Sequence, residues 1–128
     1  MNSKELLDIY FKLTDRFDFL WNFYTFFIIA LGSYFLSNKS DLVLASTDRI
    51  VLLTGYLLFV SMNVGALFIT IKALQAVADA IYRVTETAPD EFTLICVLVR
   101  RSHSLYKVAT IVVHSVMFCL IAGLVILW

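Results

Sequence analysis

Two histidines, His103 and His114, are the side chains of this 128-residue sequence that titrate near neutral pH. Set eleven residues apart on a helix, they share a face but stand about 16 Å from each other along the axis, too far to grip one ion. Cys96 and Cys119 are also far apart, in different surroundings, so the sequence offers neither a CxxC site nor a disulfide framework. No metal and no cofactor is expected; haem ligation by His114 across a symmetric dimer is the one such geometry its position leaves open. His114 lies deep in an apolar run, where a titratable side chain is a functional candidate by default. The structural alternative is a neutral ring, bonded to Asn or Ser, that ties helices together.

A partner for His114 follows from register. If the second and third apolar runs fold back on each other about a turn near Ala88, residues whose numbers sum to about 176 lie opposite one another. That brings His114 to Met62 and Asn63, with Ser61 and Ser115 nearby. With Asn22 of the first apolar run, these residues (Asn22, Ser61, Asn63, His114, Ser115) are the intramembrane polar or pore candidates. The same register sets Asp79 near Val97, within reach of Arg100 or Arg101, as an ion pair that would fix the hairpin. Arg100, Arg101, His103 and Lys107 crowd into RRSHSLYK, just outside an apolar run. Anionic lipid headgroups suit such a patch, and a soluble anion or an acidic partner is the alternative; the spacing does not choose.

What must position these groups is a chain with 61% apolar side chains, 16% charged ones and a mean hydropathy of +0.88, too apolar for a soluble domain of this length. Its formal net charge of zero argues against nucleic acid, which needs a surplus of Lys and Arg. The expected fold is all-α: one integral membrane domain over 1–128 with three transmembrane helices, an N-terminal amphipathic helix, and a cytosolic antiparallel helical hairpin extending spans two and three.

Residues 4–18 place Leu6, Tyr10, Leu13 and Phe17 on one stripe and Asp8, Lys12, Asp15 and Arg16 opposite, an amphipathic helix that, with no Gly or Pro before the apolar run, is suited to lie at the membrane interface or to bend gently into the span; binding a partner is the alternative. Residues 19–37 form span one, with Trp21 and Tyr24 as headgroup anchors. Span two with its cytosolic extension covers 49–87, capped by Asp48 or Thr47. Its seam is Leu67, Ile71 or Thr70, Leu74, Val77, Ile81 and Val84. Thr87, Pro89, Asp90 and Glu91 suit the start of a third helix. Residues 88–128 hold that helix and span three, with a seam at Leu98, Arg101, Leu105, Val108, Val112, Ser115, Cys119, Ala122 and Ile126.

Eight basic residues (Lys4, Lys12, Arg16, Lys72, Arg83, Arg100, Arg101, Lys107) fall on the side of the N-terminus and the hairpin, against Lys39 and Arg49 in the first loop. The expected location is therefore the bacterial inner (plasma) membrane, multi-pass, N-terminus cytoplasmic and C-terminus outside. Acids among the first residues and the lack of a small-x-small site argue for a retained N-terminus rather than a cleaved signal peptide. Small-xxx-small pairs at Ser61/Gly65, Ala66/Thr70 and Ser115/Cys119/Gly123 exceed what three helices need and suggest self-association.

In length and layout the chain resembles bacterial diacylglycerol kinase, and ITIKALQAVADAI resembles that family's second-span motif. Aligned on Asp79, the motif's Glu positions fall on Phe68 and Gln75 and its Asn position on Ile71, so the resemblance carries layout and not phosphotransfer. The chain is also similar in size to the three-span anchors of succinate dehydrogenase, without their His-containing signatures. With no intramembrane carboxylate or nucleophile pair, no enzymatic activity is expected. The expected function is a small homo-oligomeric inner-membrane protein, a pore or channel-like assembly gated or recruited through its hairpin. The alternative is an accessory or anchoring subunit of a larger membrane complex. Membrane lipids, further copies, and a cytosolic or membrane protein are the expected partners.

Overall fold

The computed structural model describes residues 3–37, 46–85, 99 and 103–127, and all of these are helical. Helix α1 runs Ser3–Ser37, α2 Ser46–Thr85 and α3 His103–Leu127. At the α-helical rise they reach about 52, 60 and 38 Å. All three are long and apolar enough to cross a membrane. Such unbroken helices follow from a sequence whose one proline is Pro89, and from the need of an apolar segment to satisfy its backbone groups internally.

Rising numbers on α2 meet falling numbers on α3, so the two run antiparallel. Lys107 Nζ donates to Gln75 Oε1 (3.3 Å), His114 Nε2 lies 3.0 Å from Asn63 Oδ1, and Arg49 Nη1 donates to the Ile126 carbonyl (3.1 Å). The expected helix over 88–102 lies outside the described residues, apart from Val99, which is buried. Helix α1 packs along α2 and reaches α3 through Phe17 against Tyr106 and through Trp21 and Tyr24 against His114.

Two apolar clusters fill the bundle. One gathers Leu6, Tyr10, Phe17, Leu67, Ile71, Leu74, Ala78, Ile81 and Val99; the other gathers Tyr24, Ile28, Phe35, Tyr56, Val60, Ile121 and Val125. Buried Asn63, Thr110 and His114 lie between them. Around the first cluster the outer faces carry charge: Lys4, Asp8, Lys12, Asp15, Arg16, Lys72, Asp79 and Arg83 are exposed. Around the second they carry Phe26, Ile29, Leu36, Val51, Leu58 and Leu120. An apolar girdle of that kind is foreign to a monomer surrounded by water.

Several expectations change. The stripe Leu6, Tyr10, Leu13, Phe17 does not stay free for an interface. It turns onto α2, and α1 continues unbroken from it into the apolar half. Where water competes, each large side chain buried there contributes roughly 1.5–3 kcal/mol, which is reason enough for the stripe to close on the bundle. Tyr24 is buried in the second cluster rather than turned outward as an anchor, and Trp21 is half-buried.

The α3 seam is also rotated. Leu105, Val108, Val112, Ser115, Cys119 and Ile126 are exposed, and the buried face is Thr110, His114, Ile121 and Val125. Acyl chains accept Leu and Val as readily as a protein core does, so on a helix apolar all round hydrophobic spacing does not reveal the packing face. On α2, whose extension carries charges outward, the expected seam largely coincides with the buried positions Leu67, Thr70, Ile71, Leu74 and Ile81. That helix begins at Ser46, which puts Thr47 and Asp48 inside its first turn rather than at the cap. There the Asp48 carboxylate complements the positive helix N-terminus.

Candidate functional site

All three helices contribute to the polar belt between the two clusters. Helix α3 turns its polar stripe inward, which gives His114 a partner on another helix that an apolar exterior lacks, while Thr110 is satisfied within its own helix. Thr110 Oγ1 donates to the Tyr106 carbonyl one turn back (2.8 Å), and the Thr110 carbonyl lies 2.7 Å from His114 Nδ1. Helix α2 supplies Asn63, whose Oδ1 lies 3.0 Å from His114 Nε2 and whose Nδ2 donates to the Leu20 carbonyl of α1 (3.3 Å). Helix α1 closes the belt with rings: Tyr24 stacks on the imidazole at 3.9 Å and Trp21 meets it edge-on at 5.4 Å. His114 and Asn63 retain only 2% and 6% of their exposure.

Counting hydrogens shows what this arrangement can do. A carbonyl only accepts, so the Thr110 contact asks for a hydrogen on Nδ1. Nε2 of a neutral ring then offers a lone pair, and Asn63 must turn its NH₂ to meet it. The other end of the amide would then set an oxygen against the Leu20 carbonyl. With the amide the other way about, Leu20 is satisfied and Nε2 needs a hydrogen of its own. A neutral imidazole therefore satisfies two of the three contacts, and a doubly protonated one all three. The belt has alternative hydrogen arrangements.

Beyond the belt, the Tyr24 and Tyr56 hydroxyls face each other at 3.4 Å, and Tyr56 stacks on Phe118 at 5.8 Å. Sequence reasoning missed both tyrosines as core polar groups. The signal was present: Tyr10, Phe17 and Tyr24 repeat every seven residues, a heptad that carries the amphipathic stripe straight on into the apolar half.

Of the polar candidates, the fold brings His114 and Asn63 together and leaves the others apart. Asn22 is exposed on the outer face of α1. Ser61 is exposed and donates to its own helix at the Leu57 carbonyl (2.8 Å), the local bond that lets a hydroxyl sit in an apolar helix. Ser115 is exposed at the edge of a groove between α2 and α3.

In the basic patch, Lys107 reaches Gln75, while half-buried His103 lines a small cavity with Tyr10, Thr14, Phe17, Leu74 and Tyr106. Burial holds the His103 imidazole below its usual range, opposed by the nearby Asp79 carboxylate and reinforced by the Lys107 ammonium. Arg100 and Arg101 lie outside the described residues, and with them the expected ion pair to Asp79. Among the described residues no three His, Cys, Asp or Glu side chains gather as a metal site. Comparisons with protein families, with curated proteins and with solved structures find no match to this chain, so its own chemistry must carry the interpretation.

Proposed function

We propose that this chain is a non-enzymatic, multi-pass protein of the bacterial inner membrane, an anchoring or accessory subunit that roots a cytoplasmic helical stalk in the bilayer. Its apolar half crosses the membrane, the N-terminus and the α2–α3 turn are cytoplasmic, and the Arg49–Ile126 end faces outside, in line with the bias of Lys and Arg. One observation carries the reading. Two buried polar side chains of neighbouring helices, His114 and Asn63, meet each other at 3.0 Å within the bundle. Polar pairs of this kind hold helices together, and this one directs its hydrogen bonds to neighbours inside the bundle.

The test is the mass of the purified chain by native mass spectrometry in mild detergent, together with crosslinking in membranes before extraction. A single copy alone in detergent, recovered from crosslinked membranes in fixed ratio with another protein, is expected. A closed ring of copies that passes ions in liposomes would overturn the reading. That ring is the second reading, a homo-oligomeric pore gated or recruited through the stalk. It is favoured by the exposure of Asn22, Ser61 and Ser115, polar positions that copies could turn toward a shared axis.

A further inference from the structure

A groove between α2 and α3, with no α1 residue in its lining, is bordered by Leu57, Val60 and Val64 of α2 and by Ile111, Ser115 and Cys119 of α3, with His114 and Phe118 at its floor, and holds about 380 Å³. It continues along α3 past Val116 and Leu120. Apart from the hydroxyl of Ser115, the thiol of Cys119 and the edge of the buried His114 ring, whose two nitrogens face Thr110 and Asn63, its lining is hydrocarbon, suited to an extended aliphatic chain.

Its charge is at one end. Lys107 stands one helical turn beyond Ile111 on the same flank of α3, half-buried, and Gln75 of α2 holds its ammonium across the seam at 3.3 Å. From Lys107 to Cys119 is twelve residues, about 18 Å along the helix, the reach of a fatty acyl chain below its headgroup. The Lys stem lies along the apolar surface and delivers its charge to the interface. Basic pockets between helices on the cytoplasmic side are where anionic headgroups bind. Gln75 adds an amide NH₂ as a second donor at the same level.

We infer that the α2–α3 groove is a binding site for one anionic phospholipid, its phosphate on Lys107 and Gln75 and an acyl chain lying past Ile111 and Ser115 to Cys119. The inference rests on the membrane orientation proposed above, which puts Lys107 at the cytoplasmic headgroup level. It adds a discrete, saturable site to a general attraction for acidic lipid. Ser115 and Cys119 then cover a ligand, which accounts for small residues on the rim of a groove that α1 leaves open.

The experiment exchanges the intact protein from detergent into mixed micelles with equal amounts of phosphatidylglycerol and phosphatidylcholine and counts retained lipids by native mass spectrometry. One phosphatidylglycerol per chain, preferred over phosphatidylcholine, is expected. Lys107→Ala should lower that preference about fivefold, the effect of one juxtamembrane cation, and Lys107→Arg should keep it. Lys72→Ala, a charge on the exposed face of α2, should leave it unchanged. Ser115→Trp, which fills the groove and leaves the cation, should reduce retention of both lipids, with circular dichroism reporting an intact helical fold.

Equal losses from Lys107→Ala and Lys72→Ala would overturn the site in favour of a diffuse field. Release of bound lipid by millimolar inorganic phosphate would remove the acyl chain from it. A change in copy number with Ser115→Trp would make the groove a protein interface. Failure to retain any lipid would count against the membrane reading itself, whereas lipid retained without headgroup preference would count against the groove alone.

Discussion

Removing His114 and Asn63, singly and together, separates a structural role for the belt from an exposed polar lining. His114→Ala deletes the Asn63 bond at 3.0 Å, the stack on Tyr24 at 3.9 Å and the edge contact with Trp21 at 5.4 Å. Interhelical side-chain bonds between membrane helices average about 0.6 kcal/mol and reach about 1.7. Each aromatic pair adds roughly 0.5–1.5 kcal/mol. The single variant should therefore lose about 2–4 kcal/mol. Asn63→Ala removes the same interhelical bond and the donor to Leu20, and strands a ring nitrogen, at about 1–3 kcal/mol.

The double variant loses the shared bond once, so the coupling should be about 1 kcal/mol. His114→Phe, which keeps the ring stack and drops both hydrogen bonds, should fall between wild type and His114→Ala. The measurement is reversible unfolding from mixed micelles by titration with a denaturing detergent, followed by far-ultraviolet circular dichroism. If the two single effects add to within about 0.5 kcal/mol, the ordinary error of additivity, the two side chains do not depend on each other. The argument from their contact then fails.

Other consequences are simpler to read. Phe17→Ala empties a buried position that meets Tyr106 edge-on at 5.3 Å and should cost about 3–5 kcal/mol, seen as faster hydrogen exchange over the first half of α1 with little change in α3. Tyr56→Phe removes one end of a hydroxyl pair at 3.4 Å, a long contact for two oxygens, and should cost about 0.5–1 kcal/mol in the same unfolding titration. Arg49→Gln withdraws the guanidinium from the Ile126 carbonyl and should destabilise by about 0.5–1.5 kcal/mol, with exchange accelerated in the last turn of α3. A Cβ at Gly65 meets nothing within 4 Å, so Gly65→Ala should raise stability by up to about 1 kcal/mol. A loss of stability together with a drop in copy number would instead show a second chain packed on that face.

The small-xxx-small pairs sharpen in the same way. Among the described residues, none of Gly32, Gly55, Gly65 and Gly123 is a point of close approach. Ser61 with Gly65, and Ser115 with Cys119, lie on outer faces, whereas Thr70 turns inward and bonds the Ala66 carbonyl at 2.9 Å. Spacing alone treats all these pairs alike; only the rotation of each helix separates those facing a neighbour from those facing outward.

Much of this protein was legible from its residues. Apolar runs of membrane-crossing length and the absence of helix breakers required three long helices, and the antiparallel fold-back brought position 63 to position 114. Where helices carry charge, as in the outer half of α2, alternation of polar and apolar residues marked the buried side, because water enforces that division. Tertiary structure alone decided which side of α3 faces inward, that the N-terminal stripe closes on α2, and that Tyr24 and Tyr56 are core residues. Among helices apolar on every side the hydrophobic effect has no preference to express. Rotation is set instead by where a few polar side chains find partners, and those partners stand on other helices, 43 to 51 residues away in sequence.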